Sequence, residues 1–128
     1  MALAENQKKT TILAIDDASE NLYIIKEILT PEHRVLLAVD PGAALDVAES
    51  QQPDLILLDI VMPNINGYEV CKKLKANPAT ANIPVLFMTT LTDKANEQLG
   101  IDVGAVDYIL KPVHPELLRE RIRHHLAK

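Results

Sequence analysis

Five short apolar runs, each followed by a segment with helical spacing, constrain this chain more than any other feature. Thr11 to Ile15, Val35 to Val39, Leu55 to Leu58, Val85 to Met88 and Tyr108 to Leu110 are continuous runs of strand length, rich in Ile, Leu and Val. Runs with no polar alternation are expected of strands covered on both faces, as in a parallel sheet. Between them, Leu22, Ile25 and Leu29 give a first helix an apolar stripe, with Ser19 or Asp17 as its cap and Pro31 just past its end. A second helix starts at Pro41 and Gly42, carries Leu45 and Ala48 inward, and stops before Pro53. A third, from about Gly67 to Ala76, buries Val70 and Leu74 and shows Lys72, Lys73 and Lys75 to water. A fourth keeps Ala95, Leu99 and Val103 on one face, is weakened by Gly100, and ends at Gly104. The last runs from Pro115 to about Ala127, with Leu118, Ile122 and Leu126 inward and Arg119, Arg121 and Arg123 mostly outward. Strand and helix in strict alternation argue for an α/β sandwich with right-handed crossovers.

At 128 residues the chain holds one domain with one core. Its 48% hydrophobic and 24% charged content excludes a disordered chain, and a net charge of −5 supplies no field toward nucleic acid or an anionic membrane. No apolar run approaches the roughly 20 residues of a spanning helix. Cys71 stands alone, so no internal disulfide forms, and a reducing cytoplasmic setting is the expectation. Cys71 reads as a half-buried helix position rather than a reactive thiol. Residues 1–9 read as a loose polar tail and 10–128 as the domain.

Asp59 directly follows the buried run Leu55 to Leu58, and a bare buried charge is too costly to stand without a role. Ligands of open parallel sheets bind beyond the carboxyl ends of the strands. Asp16 and Asp17 follow the first run, Asp59 the third, Thr89 and Thr90 end the fourth, and Lys111 follows the fifth. Each has an ordinary reading as a cap or loop residue. Their joint placement at successive strand ends points instead to one rim. Three acids together need a proton or a cation, and a hard ion such as Mg²⁺ suits them. An ammonium beside such a site makes sense when a multiply charged phosphoryl group comes and goes, with Asp59 as the nucleophile.

The segments "ILAIDDASENLYIIKEIL", "PDLILLDIVMPNINGYEV", "IPVLFMTT" and "GAVDYILKPV" resemble the receiver domain of two-component response regulators (the CheY-like superfamily) over nearly the whole chain. The resemblance implies a flavodoxin-like, doubly wound three-layer sandwich with a five-stranded parallel sheet of order 2-1-3-4-5 and five helices. It implies Asp59 as phosphoacceptor, with Asp16 and Asp17 in the acidic pocket, and Mg²⁺ held by Asp17 and Asp59 directly and by the carbonyl of Val61. It assigns Thr89 and Lys111 to the phosphoryl group, Tyr108 to an aromatic switch, and a cis bond to Lys111–Pro112. The implied partners are a histidine kinase or histidine phosphotransfer protein. An effector domain or a second copy would use the face of the fourth helix, fifth strand and fifth helix.

Two features depart from the commonest pattern. Thr90 is larger than the usual small residue, and Val61 and Leu91 are both apolar, which would screen a phosphoryl group from water. Tyr108 keeps a packing alternative. Of the histidines, His33 and His114 have no recognisable partner, and the His124–His125 pair is expected to favour the end of the last helix rather than a metal. A competing class is an Asp-nucleophile phosphohydrolase, which would want a second acid where Val61 stands. A flavin-binding module is disfavoured by acids where a phosphate loop needs donors. A free-standing receiver and one joined to a further domain are both compatible with the tail "HPELLRERIRHHL".

Overall fold

The computed structural model describes residues 10–60, 67–90 and 102–127. Five strands, β1 (Thr10–Ile15), β2 (His33–Ala38), β3 (Leu55–Asp59), β4 (Val85–Thr89) and β5 (Asp107–Leu110), form one parallel sheet in the order β2-β1-β3-β4-β5. Among the described residues the helices are α1 (Ser19–Leu29), α2 (Pro41–Gln51), α3 (Gly67–Ala76) and α4 (Pro115–Leu126). The α4 label belongs to the helix expected as the fifth. Most of the expected fourth, from Ala95 to Val103, lies outside the described residues, which resume at Asp102; the polar tail, Val61 and Leu91 lie outside them too.

The period of two along each strand divides the core. Leu13, Ile15, Ile56, Leu58, Val85 and Phe87 pack with Ala44, Ala48, Val70 and Leu74 of α2 and α3. Ile12, Ala14, Leu55, Leu57, Leu86 and Met88 pack with Leu22, Ile25, Leu118 and Ile122 of α1 and α4. Both faces of the sheet are covered, which is why the central runs show no alternation. On α2 the deepest side chains are Ala44 and Ala48, whereas Leu45 is only partly buried.

Local chemistry accounts for the element ends. Asp40 caps α2 by accepting from the Ala43 amide, and Pro41 occupies the first turn. The first helix departs from expectation: its N-cap is Ala18, with no side-chain cap from Ser19 or Asp17. Asp16 substitutes by accepting from the Ala18 amide at 3.0 Å. Strand β2 starts two residues earlier than its apolar run, because His33 and Arg34 pair with Thr10 and Thr11. The Thr10 hydroxyl also bonds His33 Nδ1, a partner not visible in the sequence.

Two residues correct the reading of α3, and a glycine in the turn before β5 fits its expected place at a helix end. Cys71 is fully buried rather than half-buried, its Sγ donates to the Val103 carbonyl at 3.4 Å, and burial pushes its thiol up to about 11. The packing role therefore holds. Lys75 does not point into water: its ammonium donates to the carbonyls of Ala81 and Ile83 at 3.1 and 2.7 Å. Gly104, at φ +103°, lies against the Lys75 stem and needs the left-handed conformation that glycine tolerates. Arg119 and Arg121 are likewise engaged, as described below for Arg121, while Arg119 Nε donates to the Ile28 carbonyl at 3.2 Å.

Candidate functional site

Strand register alone brings the rim residues together. Ile15 pairs with Leu58, so Asp16 follows at the level of Asp59. Asp59 pairs with Met88, and Thr89 with Leu110, so Thr89 and then Lys111 continue the same edge. The Lys111 amide donates to the Thr89 carbonyl at 2.8 Å, which holds the chain on that edge beyond the end of β5. The Lys111–Pro112 bond is cis, as the resemblance implied.

The Lys111 side chain reaches back across β4 to the acids. Its Nζ lies 3.1 Å from Asp16 Oδ2 and 3.2 Å from Asp59 Oδ1. Asp16 is fully buried and Asp59 nearly so, at 4% exposure, whereas Asp17 is exposed. Buried charges survive when they are paired and hydrogen-bonded. Asp16 meets that requirement with the Ala18 amide, the Lys111 ammonium and the Asn21 side-chain amide at 3.2 Å. Burial works against the charge on Lys111, but the hydrogen bonds and charges of Asp16 and Asp59 outweigh it and hold its pKa above the ordinary lysine value.

Asp16, Asp17 and Asp59 each offer an oxygen, and these oxygens lie within 4.8 Å of one another. Oxygen donors at this spacing, two buried and one facing water, fit a hard divalent cation that keeps part of its hydration shell. The backbone ligand expected from Val61 lies outside the described residues. Thr89 is buried at the end of β4, Thr90 beside it is exposed, and Tyr108 is half-buried against the core on the α2 and α3 side.

Two contributors were not read from the sequence. Asn21 was missed because its role depends on where the first turn of α1 sits relative to Asp16. Gly67 was read only as the start of the third helix, but it is seated directly on the end of β3: its amide donates to the Ile60 carbonyl at 2.7 Å, and a Cβ there would stand 2.5 Å from the Asp59 carbonyl oxygen. Tyr68, next along, packs edge-to-face on Phe87 with ring centroids 5.4 Å apart.

A doubly wound sheet with an acid cluster and one lysine at its carboxyl rim defines a CheY-like α/β domain. The chain belongs to the response regulator receiver domain family, whose sequence model matches residues 12–123. It is 42% identical over 122 residues to a probable cyclic di-GMP phosphodiesterase of Vibrio cholerae, covering 95% of this chain and 28% of that protein. It is 39% identical over 113 residues to the response regulator PleD of Caulobacter vibrioides, covering 88% of this chain and 25% of that protein. The chain thus spans about a quarter of the length of these two relatives. A putative response regulator from Chloroflexus aurantiacus J-10-fl superposes with a TM-score of 0.88 at 30% identity, over 94% of this chain and 100% of that one. No helix among the described residues is long and apolar enough to cross a membrane.

Proposed function

We propose that this receiver domain accepts a phosphoryl group on Asp59 from the phosphohistidine of a histidine kinase or phosphotransfer protein, and that the modified site resets the surface around β5. The observation that carries the reading is the pair of contacts from one ammonium, Lys111, to two buried carboxylates at 3.1 and 3.2 Å. A lysine so held has its charge stored beside the reacting carboxylate and needs little movement to meet a phosphoryl oxygen.

In the reaction, an Asp59 oxygen attacks phosphorus in line, the P–N bond to the donor imidazole breaks, and the imidazole leaves with its electron pair. Lys111 shifts from the carboxylates to an equatorial phosphoryl oxygen, and the Thr89 hydroxyl donates to another. Asp16, Asp17 and Asp59 would hold Mg²⁺, which supplies neutralisation of the phosphoryl charge. With Thr89 drawn toward the phosphoryl group, Tyr108 turns inward, shifting a pre-existing equilibrium at β5 and α4. Incubation with radiolabelled acetyl phosphate and Mg²⁺ tests this: one label per chain that saturates is expected. Sustained turnover of phosphomonoesters would favour the phosphohydrolase reading.

The donor's approach is supported by a hollow of about 210 Å³ lined by Asn21, Ile24, Ile25, Lys111, Pro112 and Val113. Ile24 on its α1 side is 55% exposed, an apolar side chain across the hollow from Lys111, whose ammonium contacts Asp59. Ile24→Glu is expected to slow transfer from a phosphohistidine donor by about tenfold or more, as loss of an interface anchor does. Labelling by acetyl phosphate, which needs no docking, should change less than about twofold. Equal slowing of both would place Ile24 in folding rather than docking.

Val61 and Leu91 carry a second expectation, that apolar side chains screen the aspartyl phosphate from water. Val61→Asn and Leu91→Glu should each shorten its lifetime by about threefold or more, because a polar side chain there can hold and orient an attacking water. Unchanged decay in both variants, followed after rapid removal of donor, would end that proposal.

A further inference from the structure

A second charged cluster lies away from the acidic rim, where β5 meets α4. Asp107, the first residue of β5, accepts from Arg121 Nη1 at 2.8 Å on Oδ1 and 2.9 Å on Oδ2. Oδ1 also takes the Tyr108 amide at 2.8 Å, and Oδ2 lies 2.7 Å from His125 Nε2. The carboxylate and the imidazole are largely shielded, at 15% and 8% exposure, while Arg121 covers them from the water side at 42%. Burial opposes the charge of Asp107, yet the bonds from His125, Arg121 and the Tyr108 amide prevail and hold its carboxyl below the ordinary range. A shielded carboxylate with this many donors is the strong kind of polar contact.

Its place in the fold gives it meaning. β5 is an edge strand of the sheet. Tyr108 and Ile109 pack into opposite layers, the first with the α2 and α3 side and the second with Leu118 and Ile122 of α4. Apolar contact therefore joins β5 to the first two turns of α4, whereas Leu126, in its last turn, is only partly buried against the same layer. The polar tie of that last turn to β5 is His125 on Asp107. The same carboxylate holds the backbone of Tyr108. Glu120, Arg123 and His124 share the surrounding surface hollow, Arg123 being paired with Glu32 at 3.2 Å.

We infer that Asp107, Arg121 and His125 form a latch that makes the last turn of α4 move with β5, so that a change at Tyr108 is passed to the end of the helix. The inference rests on the proposed role of Asp59 and Tyr108, and names positioning residues for it rather than groups that touch the phosphoryl. Packing alone would leave the last turn free to fray independently, as helix ends commonly do.

The test is amide hydrogen exchange on the full chain with and without beryllofluoride and Mg²⁺, in the unsubstituted protein and in Asp107→Asn, His125→Gln and the double variant. In the unsubstituted protein the response should appear both at residues 107–110 and at 122–126. In each single variant the response at 122–126 should fall about fivefold or more while that near Asp59 persists, and the double variant should lose no more than the singles, the signature of a coupled pair. General loosening with the last-turn response intact, or strictly additive effects, overturns the latch. Should beryllofluoride change no amide near Asp59 in the unsubstituted protein, the phosphoacceptor reading fails instead. The double-mutant cycle on basal exchange at 122–126 then decides the latch alone.

Discussion

Replacing Asp59 with asparagine is expected to abolish labelling by acetyl phosphate in the presence of Mg²⁺ while leaving the domain folded. Asparagine keeps the shape of the side chain but removes the anionic oxygen that attacks phosphorus, so the loss should exceed about a hundredfold, as for removal of a nucleophile. Folding should survive because Lys111 retains Asp16 at 3.1 Å and is not left as an unpaired buried cation. Asp16→Asn makes the informative contrast. That carboxylate is fully buried and also receives the Ala18 amide and Asn21, so its replacement should lower stability as well as labelling. Radiolabel incorporation and thermal unfolding on the same samples separate the two. Stoichiometric label on the Asp59→Asn protein would show that another side chain is the acceptor.

The largest effect on stability is expected from Gly67→Ala. A methyl group there would lie 2.5 Å from the Asp59 carbonyl oxygen and 2.7 Å from the Ile60 Cα, both backbone atoms of the segment that carries the acceptor. Neither can swing aside as a side chain would, so α3 must move off β3, at a cost of about 3 kcal/mol or a fall in Tm of roughly 10 °C. Gly42→Ala is the control. Its nearest contact, at 3.2 Å, is the Asp40 carboxylate that caps α2, a side chain that needs to give only a few tenths of an ångström, and alanine is the better helix former. That variant should change stability by less than about 1 kcal/mol. An unaltered unfolding midpoint for Gly67→Ala would refute the close-approach argument.

How far the sequence is legible depends on whether a residue's role is set by its own neighbours or by distant ones. The strands were readable because burial on both faces leaves continuous apolar runs, and the acids because each directly follows such a run. The start of β2 was not, since His33 and Arg34 become strand through pairing with Thr10 and Thr11 rather than through their own preference. Lys75 sits at a helical position that faces outward by spacing, yet its stem lies along the protein and its ammonium returns to the Ala81 and Ile83 carbonyls. His125 illustrates the same limit. Nothing in "RHHL" reveals that Asp107, 18 residues earlier, stands opposite it, so a specific bond joins the expected placement of the histidines at the helix end. In the rim itself, Asp16, Asp59, Thr89 and Lys111 were placed together correctly, because register in a parallel sheet is simple to extend by one residue.

The contact between Lys111 and Asp16 closes a span of 95 residues. On a ribosome, the acids of β1 and β3 emerge long before the amine that balances them, and no local segment can assemble the rim ahead of the complete sheet. On the proposed function, competence to receive a phosphoryl group is thereby tied to having finished folding. On that reading, half-made or damaged copies, which carry the Asp59 carboxylate without its cation, should stay silent rather than drain a phosphoryl donor.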